Sequence, residues 1–321
     1  MASWGNNERI VQRTQEELWR DWVRKKVEFY IWTGKWDNVT IAALNAWLAN
    51  FGDEGEKYAL ALLNHFIYYS ALDERRLCQY AIANVVFRDH LLNIDRSNSF
   101  SCANEVLSRE LNDRIKETQV VPLLSEGNPT ESGNAIARVY TTTGLIPENQ
   151  VIRPDQILPC IYQGSCKRFL FVDDFLGSGD QLVSFWNEPS ILLSAGGEKV
   201  ALANISKRHT NISFEYIALV ATACGLQNVE QKTLGLKVHF CEELSDEYGA
   251  FSANSIFFDK SEDREACKAY LETLCQARHI HARGYHELDF AIAFHHGTPD
   301  SCLPIFWEKS DTWTPLFQPR M

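Results

Sequence analysis

Two adjacent aspartates, Asp173 and Asp174, stand between an apolar run and a glycine-rich turn in the middle of the chain. Residues 169–172 have the composition of a buried strand, and the turn 177–179 leads into an apolar-periodic helix. In an open α/β sheet, ligands bind beyond the carboxyl ends of the strands. There, backbone N–H groups of the next helix can donate hydrogen bonds to a phosphate. Adjacent carboxylates beside such a loop suit a vicinal diol, a Mg²⁺ ion, or both. The pattern therefore predicts a site for a phosphorylated sugar.

Three other motifs also place acidic residues near a strand end. A Walker B strand does so, but the chain contains no GxxxxGK[ST] sequence, which argues against a P-loop NTPase. A dinucleotide fingerprint requires a third glycine, and none follows Gly177 and Gly179 at the required spacing. The acidic pair of a receiver domain stands near the start of its domain, whereas this pair is far along the chain.

Residues 173–179, Asp-Asp-Phe-Leu-Gly-Ser-Gly, resemble the phosphoribosyl diphosphate (PRPP) motif of type I phosphoribosyltransferases. The resemblance implies that Asp173 and Asp174 bind the ribose hydroxyls, with Mg²⁺ held by them or only through PRPP, and favour positive charge at ribose C1. It also implies a set of residues that bind the 5′-phosphate. These are Gly177, Ser178, Gly179, Asp180 and Gln181. Asp180-Gln181 depart from the family pattern, which has a small residue and a threonine there.

Two further segments add to this resemblance. The turn-rich sequence one strand earlier corresponds in position to the family's pyrophosphate loop, which implies that role for Ser125, Glu126 and Gly127. The C-terminal sequence FHHGTPDSCLPIFW resembles a divergent branch of phosphoribosyltransferase-like proteins from bacterial conflict (anti-phage) systems. Within it, His295 and His296 are candidates for a lid or for general acid/base groups, although such residues more often cap a strand.

The elements that must position these residues divide the chain into two parts. Residues 1–101 have helical periodicity and predict a helical bundle or cap, and residues 102–321 predict a phosphoribosyltransferase-like domain. In the second part apolar runs alternate with helical segments, which predicts an α/β fold whose mostly parallel sheet has helices on both faces. The predicted strands are 119–124, 157–162, 169–172, 199–205, 236–240 and 290–294. Helices are predicted at 58–69, 181–193, 214–224 and 262–282.

Composition limits the classes of protein that need to be considered. Of 321 residues, 45% are hydrophobic and 23% are charged, which is typical of a globular protein. The formal net charge of −11 argues against non-specific binding of nucleic acid or of a membrane surface, since both need a basic excess. Nine scattered cysteines without a CxxC pair indicate reduced thiols, and no apolar run reaches the length of a membrane span. We therefore expect a cytoplasmic protein.

The resemblance implies a PRPP-binding, phosphoribosyltransferase-like effector. It would transfer or cleave at ribose C1 with Mg²⁺ and release of pyrophosphate, and it would act with other proteins of an anti-phage system. The acceptor is not predicted. Two alternatives stay open: a catalytically inactive sensor of PRPP or a nucleotide, which Asp180 in the phosphate loop favours, and a scaffold subunit that docks partners through its helical front.

Overall fold

The computed structural model describes residues 14–124, 132–164, 166–189, 191–192 and 197–317. Over these residues the chain forms a four-stranded parallel sheet with helices on both faces, preceded by a helical region. The fold class predicted from the alternation of strands and helices is therefore confirmed. Within the same residues, no helix has both the length and the apolar character needed to cross a membrane.

The described residues contain twelve α-helices and eight strands. The helices are α1 (Gln15–Trp32), α2 (Ile41–Ala49), α3 (Gly52–Asn64), α4 (Ala71–Tyr80), α5 (Arg88–Ser97), α6 (Asn104–Lys116), α7 (Ser132–Thr142), α8 (Ile157–Gln163), α9 (Asp180–Asn187), α10 (Leu202–Arg208), α11 (Ala223–Lys232) and α12 (Ser261–Arg278). The strands are β1 (Ile67–Tyr69), β2 (Thr118–Pro122), β3 (Arg168–Leu176), β4 (Ile191–Leu192), β5 (Lys199–Val200), β6 (Ser213–Thr222), β7 (Lys237–Leu244) and β8 (Ile292–Phe294).

The main sheet has the strand order β2-β3-β6-β7, with all neighbours parallel. Residues 169–172 of β3 and 216–221 of β6 are continuous apolar runs because helices cover both faces of these central strands. Phe169 and Phe171 belong to the core formed with α8 to α11, whereas Leu170 and Val172 belong to the core formed with α7 and the front helices. Successive residues of β3 therefore lie on opposite faces of the sheet.

The front of the chain packs into one of these cores. β1 pairs in parallel with β8, which joins residues of the front to residues near the C-terminus and interrupts the predicted all-helical region with one short strand. The Trp47 ring stacks on Phe306 at 5.2 Å, and its indole N–H donates to the Ile305 carbonyl at 2.7 Å. The domain boundary at residue 101 stays a prediction, and apolar residues from both sides of it share this core.

The predicted helix 181–193 is too long, because α9 ends at Asn187 and the strand β4 follows at residues 191–192. Four apolar segments differ more completely from their predicted secondary structure. The predicted helix 58–69 ends with α3 and is followed by β1, and the predicted strand 157–162 is helix α8. The predicted strand 199–205 is mostly helix α10, and the predicted helix 214–224 is the central strand β6. The reason is the same each time: a short run that is apolar on every side has no period that separates a buried strand from a buried helix.

Candidate functional site

Asp173 and Asp174 lie within β3 and not beyond its end, because the strand continues beside β6 as far as Leu176. Asp173 is 2% exposed and Asp174 is 1% exposed. The neighbouring strand β2 ends at Pro122, which pairs with Val172, so among the described residues β3 has no strand neighbour on that side from Asp173 onward. The first turn of α7 contacts the carboxylate there.

The carboxylate of Asp173 accepts hydrogen bonds from groups of the chain itself. The Ser132 hydroxyl, at the start of α7, donates at 2.8 Å, and the backbone N–H of Asp174 donates at 3.0 Å. The Tyr216 hydroxyl on β6 lies 3.5 Å from the second carboxylate oxygen. Burial, together with the negative charge of Asp173, holds the pKa of Tyr216 well above its usual value. This hydroxyl therefore stays protonated and is a donor.

Asp174 faces the opposite side of the sheet and pairs with His296. One carboxylate oxygen lies 3.0 Å from His296 Nε2, and His296 Nδ1 lies 2.9 Å from the buried Glu74 carboxylate on α4. Burial acts to lower the pKa of His296, but the hydrogen bonds to Asp174 and Glu74 outweigh burial and raise the pKa to about 10. The ring is therefore a cation at neutral pH and donates to both carboxylates.

His295 does not join this pair of carboxylates. Its Nδ1 lies 3.0 Å from Asp37, its carbonyl accepts from the Asn38 amide at 3.0 Å, and its side chain is 42% exposed. The structure therefore brings His296, but not His295, together with Asp174.

The predicted phosphate loop connects β3 to α9. Gly179 has φ = 82°, a left-handed conformation that favours glycine, and directly precedes α9. The backbone N–H of Asp180 donates to the Ser178 hydroxyl at 3.3 Å, and Gln181 is exposed in the first turn of α9. The loop thus has the predicted strand–turn–helix geometry, in which the first N–H groups of a helix suit an anion.

The start of α11 packs beside this loop and was not predicted from the sequence. The Thr222 hydroxyl donates to the Gly177 carbonyl at 2.6 Å, and the Asn228 amide donates to the Ser178 carbonyl at 2.7 Å. A Cβ at Gly225 would overlap the Gly177 carbonyl oxygen. The sequence does not indicate these residues, because the apolar run 214–224 predicts a helix, whereas it forms β6, whose carboxyl end lies next to that of β3.

Gly225→Ala is expected to displace the phosphate loop, since the added methyl group cannot fit against the Gly177 carbonyl. Overpacking of this kind costs about 1–3 kcal/mol of unfolding free energy. We expect a loss of PRPP affinity larger than this loss of stability accounts for. Urea unfolding and calorimetric titration with PRPP measure the two effects. Gly164→Ala is the control, because its added Cβ meets no neighbour, although its positive φ adds a backbone strain that Gly225→Ala does not have.

The segment 283–289 covers the loop from another side by contacting Asp180. His286 Nε2 lies 2.7 Å from the Asp180 carboxylate, the Tyr285 hydroxyl donates to it at 3.3 Å, and the Asn228 amide donates to it at 3.0 Å. Burial acts to raise the pKa of Asp180. The hydrogen bonds outweigh burial and lower the pKa, and the bond from His286 has the largest effect among them. Asp180 is therefore ionised at neutral pH and paired within the chain.

The same segment holds three residues in the left-handed region that glycine favours. These are His286 and Glu287, both with φ = 55°, and Asp289, with φ = 52°. Such conformations cost free energy and persist where the surrounding structure fixes them. The buried Asp289 holds this segment in place, because its carboxylate pairs with Arg283 and accepts a hydrogen bond from the Gly284 N–H at 3.0 Å.

The predicted pyrophosphate loop of Ser125, Glu126 and Gly127 lies outside the described residues. The elements on either side of it are β2 and α7, and both border Asp173. A Cβ at Gly133, in the first turn of α7, would overlap the backbone of Leu123 just after β2. The two elements therefore approach each other closely next to the acidic strand.

The part of the chain that the structure describes has no group of three or more His, Cys, Asp or Glu side chains arranged to hold a metal ion. Asp173 and Asp174 lie on opposite faces of the sheet and contact Ser132 and His296 respectively. Each of the two aspartates therefore has its own partners among the described residues, and Mg²⁺ binding stays a prediction.

A parallel sheet, a glycine turn that follows a strand carrying two aspartates, and a helix that starts at that turn define a phosphoribosyltransferase-like protein. The chain belongs to the PRTase-CE family, whose model matches residues 44–318. The matched range includes β3, the phosphate loop, Glu74 and His296, and it begins after α1. No curated protein matches the chain.

Proposed function

We propose that this phosphoribosyltransferase-like chain binds PRPP, or a nucleotide with the same ribose 5′-phosphate, at the loop after β3. The observation that carries the proposal is the loop itself. It leaves a central parallel strand, turns at the left-handed Gly179 and begins α9, and the start of α11 packs against it. Backbone N–H groups in this geometry bind a phosphate through hydrogen bonds and the helix dipole.

The reaction that this site supports is displacement at ribose C1. The C1–O bond to pyrophosphate breaks, an acceptor atom forms the new bond to C1, and pyrophosphate leaves with both bonding electrons. Asp173 would contribute negative charge beside the positive charge that develops on the ribose ring. The charge of Asp174 is balanced by the His296 cation. We propose that Mg²⁺ arrives as part of the substrate, chelated by the pyrophosphate.

A second function, binding without turnover, is favoured by one specific observation. Asp173 and Asp174 are both buried and both accept hydrogen bonds from groups of the chain. A ribose hydroxyl would have to compete with Ser132 and His296 for them. A chain that only senses PRPP or a nucleotide needs the phosphate loop but not the two carboxylates.

Titration calorimetry with Mg²⁺ and PRPP, followed by an assay for released pyrophosphate, tests both functions. Binding with pyrophosphate release in the presence of candidate acceptors supports the transferase. Binding without release supports the sensor. If PRPP and nucleoside monophosphates both fail to bind, the proposed site is wrong, and a scaffold role is what remains.

Asp180→Asn is expected to increase the affinity for PRPP about three- to tenfold, because a carboxylate beside a bound phosphate repels it. His286 and Asn228 reach different oxygens of the Asp180 carboxylate, so the single asparagine oxygen can keep only one of these two hydrogen bonds. The gain should shrink as ionic strength rises, since salt screens this repulsion. Asp155→Asn, which neutralises an exposed carboxylate on a distant turn, is the control. A fall in affinity would instead mean that Asp180 itself contacts the ligand.

We also propose that the chain acts in the cytoplasm within a bacterial anti-phage system, together with other proteins. The support is the resemblance of its C-terminal segment to the conflict-system branch. A plaque assay that compares the wild type with the variant carrying both Asp173→Asn and Asp174→Asn tests this role. Equal protection by the two would argue against an effector that acts through this site.

A further inference from the structure

One face of α1 carries large apolar side chains that the rest of the described chain leaves exposed. Leu18 is 53% exposed, Trp22 and Phe29 are 56% exposed, and Trp32 is 82% exposed. The opposite face of α1 packs on the core. A cluster of large apolar side chains on the surface of a folded protein marks a site of interaction with another molecule.

Apart from Glu16 and Glu17 in the first turn, the exposed positions of α1 have the alternating spacing of three and four residues found in a coiled-coil seam. They are Gln15, Leu18, Trp22, Lys25, Phe29 and Trp32. α1 has 18 residues and no proline or glycine, so the seam is about 27 Å long at the usual rise per residue. A seam of this kind packs against a second helix that carries a matching seam.

We propose that α1 packs antiparallel against α1 of a second copy of this chain. An antiparallel alignment centred between residues 23 and 24 brings Leu18 level with the partner subunit's Phe29. The same alignment brings Gln15 level with the partner subunit's Trp32. Because the pair has two-fold symmetry, each contact forms twice and the interface is closed.

Lys25 at the middle of the seam selects the antiparallel direction. In a parallel pair it would lie against the partner subunit's Lys25, and two like charges would face each other in the seam. In the antiparallel pair it lies level with the partner subunit's Trp22. Within one chain Lys26 lies 5.4 Å from the centroid of the Trp22 ring, so the cation–π contact of Lys25 would form on the other face of that ring. The position of Lys25 is also one residue from the partner subunit's Asp21, and within its own chain Lys25 already pairs with Asp21 at 2.8 Å.

This interface uses a segment outside the range that the family model matches. α1 precedes the range 44–318 that the family model matches, whereas β3, the phosphate loop and His296 lie inside it. The pairing would therefore join two copies through a segment that this chain carries in addition to the matched family region.

Sedimentation equilibrium of the full chain tests the pairing. The wild type is expected to dimerise, and Trp22→Ser combined with Phe29→Ser is expected to weaken the association at least tenfold. The thermal unfolding temperatures of the two proteins should agree at a concentration low enough for both to be monomeric. Leu234→Ser, which removes an apolar side chain that is 76% exposed on another surface, is the control and should leave dimerisation unchanged. A wild type that is monomeric at about 100 µM, or a double variant that dimerises as tightly as the wild type, would overturn the proposal.

Disulfide cross-linking tests the direction. Gln15→Cys and Trp32→Cys are prepared as separate proteins, and each is oxidised alone and in a mixture of the two. The antiparallel pair predicts a cross-linked dimer only in the mixture, since residue 15 of one chain lies level with residue 32 of the other. Cross-linking of each protein alone would show a parallel pair and overturn the proposal. The wild type, with its nine free cysteines, gives the background.

Discussion

Asp173→Asn is expected to lower the rate of pyrophosphate release about a hundredfold and the affinity for PRPP about tenfold, while the chain still folds. Asparagine has the shape of aspartate, and its oxygen can still accept hydrogen bonds from the Ser132 hydroxyl and the Asp174 N–H. What the variant loses is the negative charge beside the ribose, where positive charge develops in the transition state. A pyrophosphate-release assay and titration calorimetry with PRPP measure the two losses.

Two matched variants separate the charge of Asp173 from its surroundings. Ser132→Ala removes the donor at 2.8 Å but keeps the carboxylate, so its effect on PRPP binding should be less than tenfold. Asp174→Asn removes the partner of the His296 cation, so it should lower the free energy of unfolding as well as activity. If Asp173→Asn binds and turns over PRPP like the wild type, Asp173 has no part in the site.

The strand and the phosphate loop could be predicted because their signals are local. An apolar run, two acids and a Gly-Ser-Gly turn occur within eleven consecutive residues, 169–179, and the loop geometry follows from them. The burial of Asp173 could not be predicted in this way. It depends on where β2 ends and on how closely α7 approaches, and neither is encoded near residue 173.

The contacts around the loop come from segments that are distant in sequence. Thr222 and Asn228 follow a strand whose unbroken apolar run also suits a helix, and Tyr285 and His286 lie in a segment without regular periodicity. In the sequence, Glu74 has the pattern of an ordinary acidic residue in the first turn of a helix. Only packing against β3 and β8 shows that it shares His296 with Asp174, so the front of the chain contributes directly to the surroundings of the acidic strand.

His296→Ala is expected to lower the free energy of unfolding at pH 7 by about 3–5 kcal/mol, because it leaves two buried carboxylates without the cation between them. Urea unfolding measures the loss. His295→Ala is the control, since that histidine forms a partly exposed pair with Asp37 and should contribute about 1 kcal/mol or less. Adding Glu74→Gln and Asp174→Asn to His296→Ala should recover part of the loss, because the unpaired charges are then gone.

The contribution of His296 is also expected to depend on pH in one direction. Its pKa in the folded chain, about 10, lies above the usual 6.5, so folding binds the proton more tightly. The stabilisation is complete below about pH 6.5 and is lost as the pH rises through 10, at up to about 1.4 kcal/mol per pH unit. The difference in unfolding free energy between wild type and His296→Ala should therefore be larger at pH 6.5 than at pH 9.5. A difference that stays constant over this range would mean that the ring between Asp174 and Glu74 is not charged.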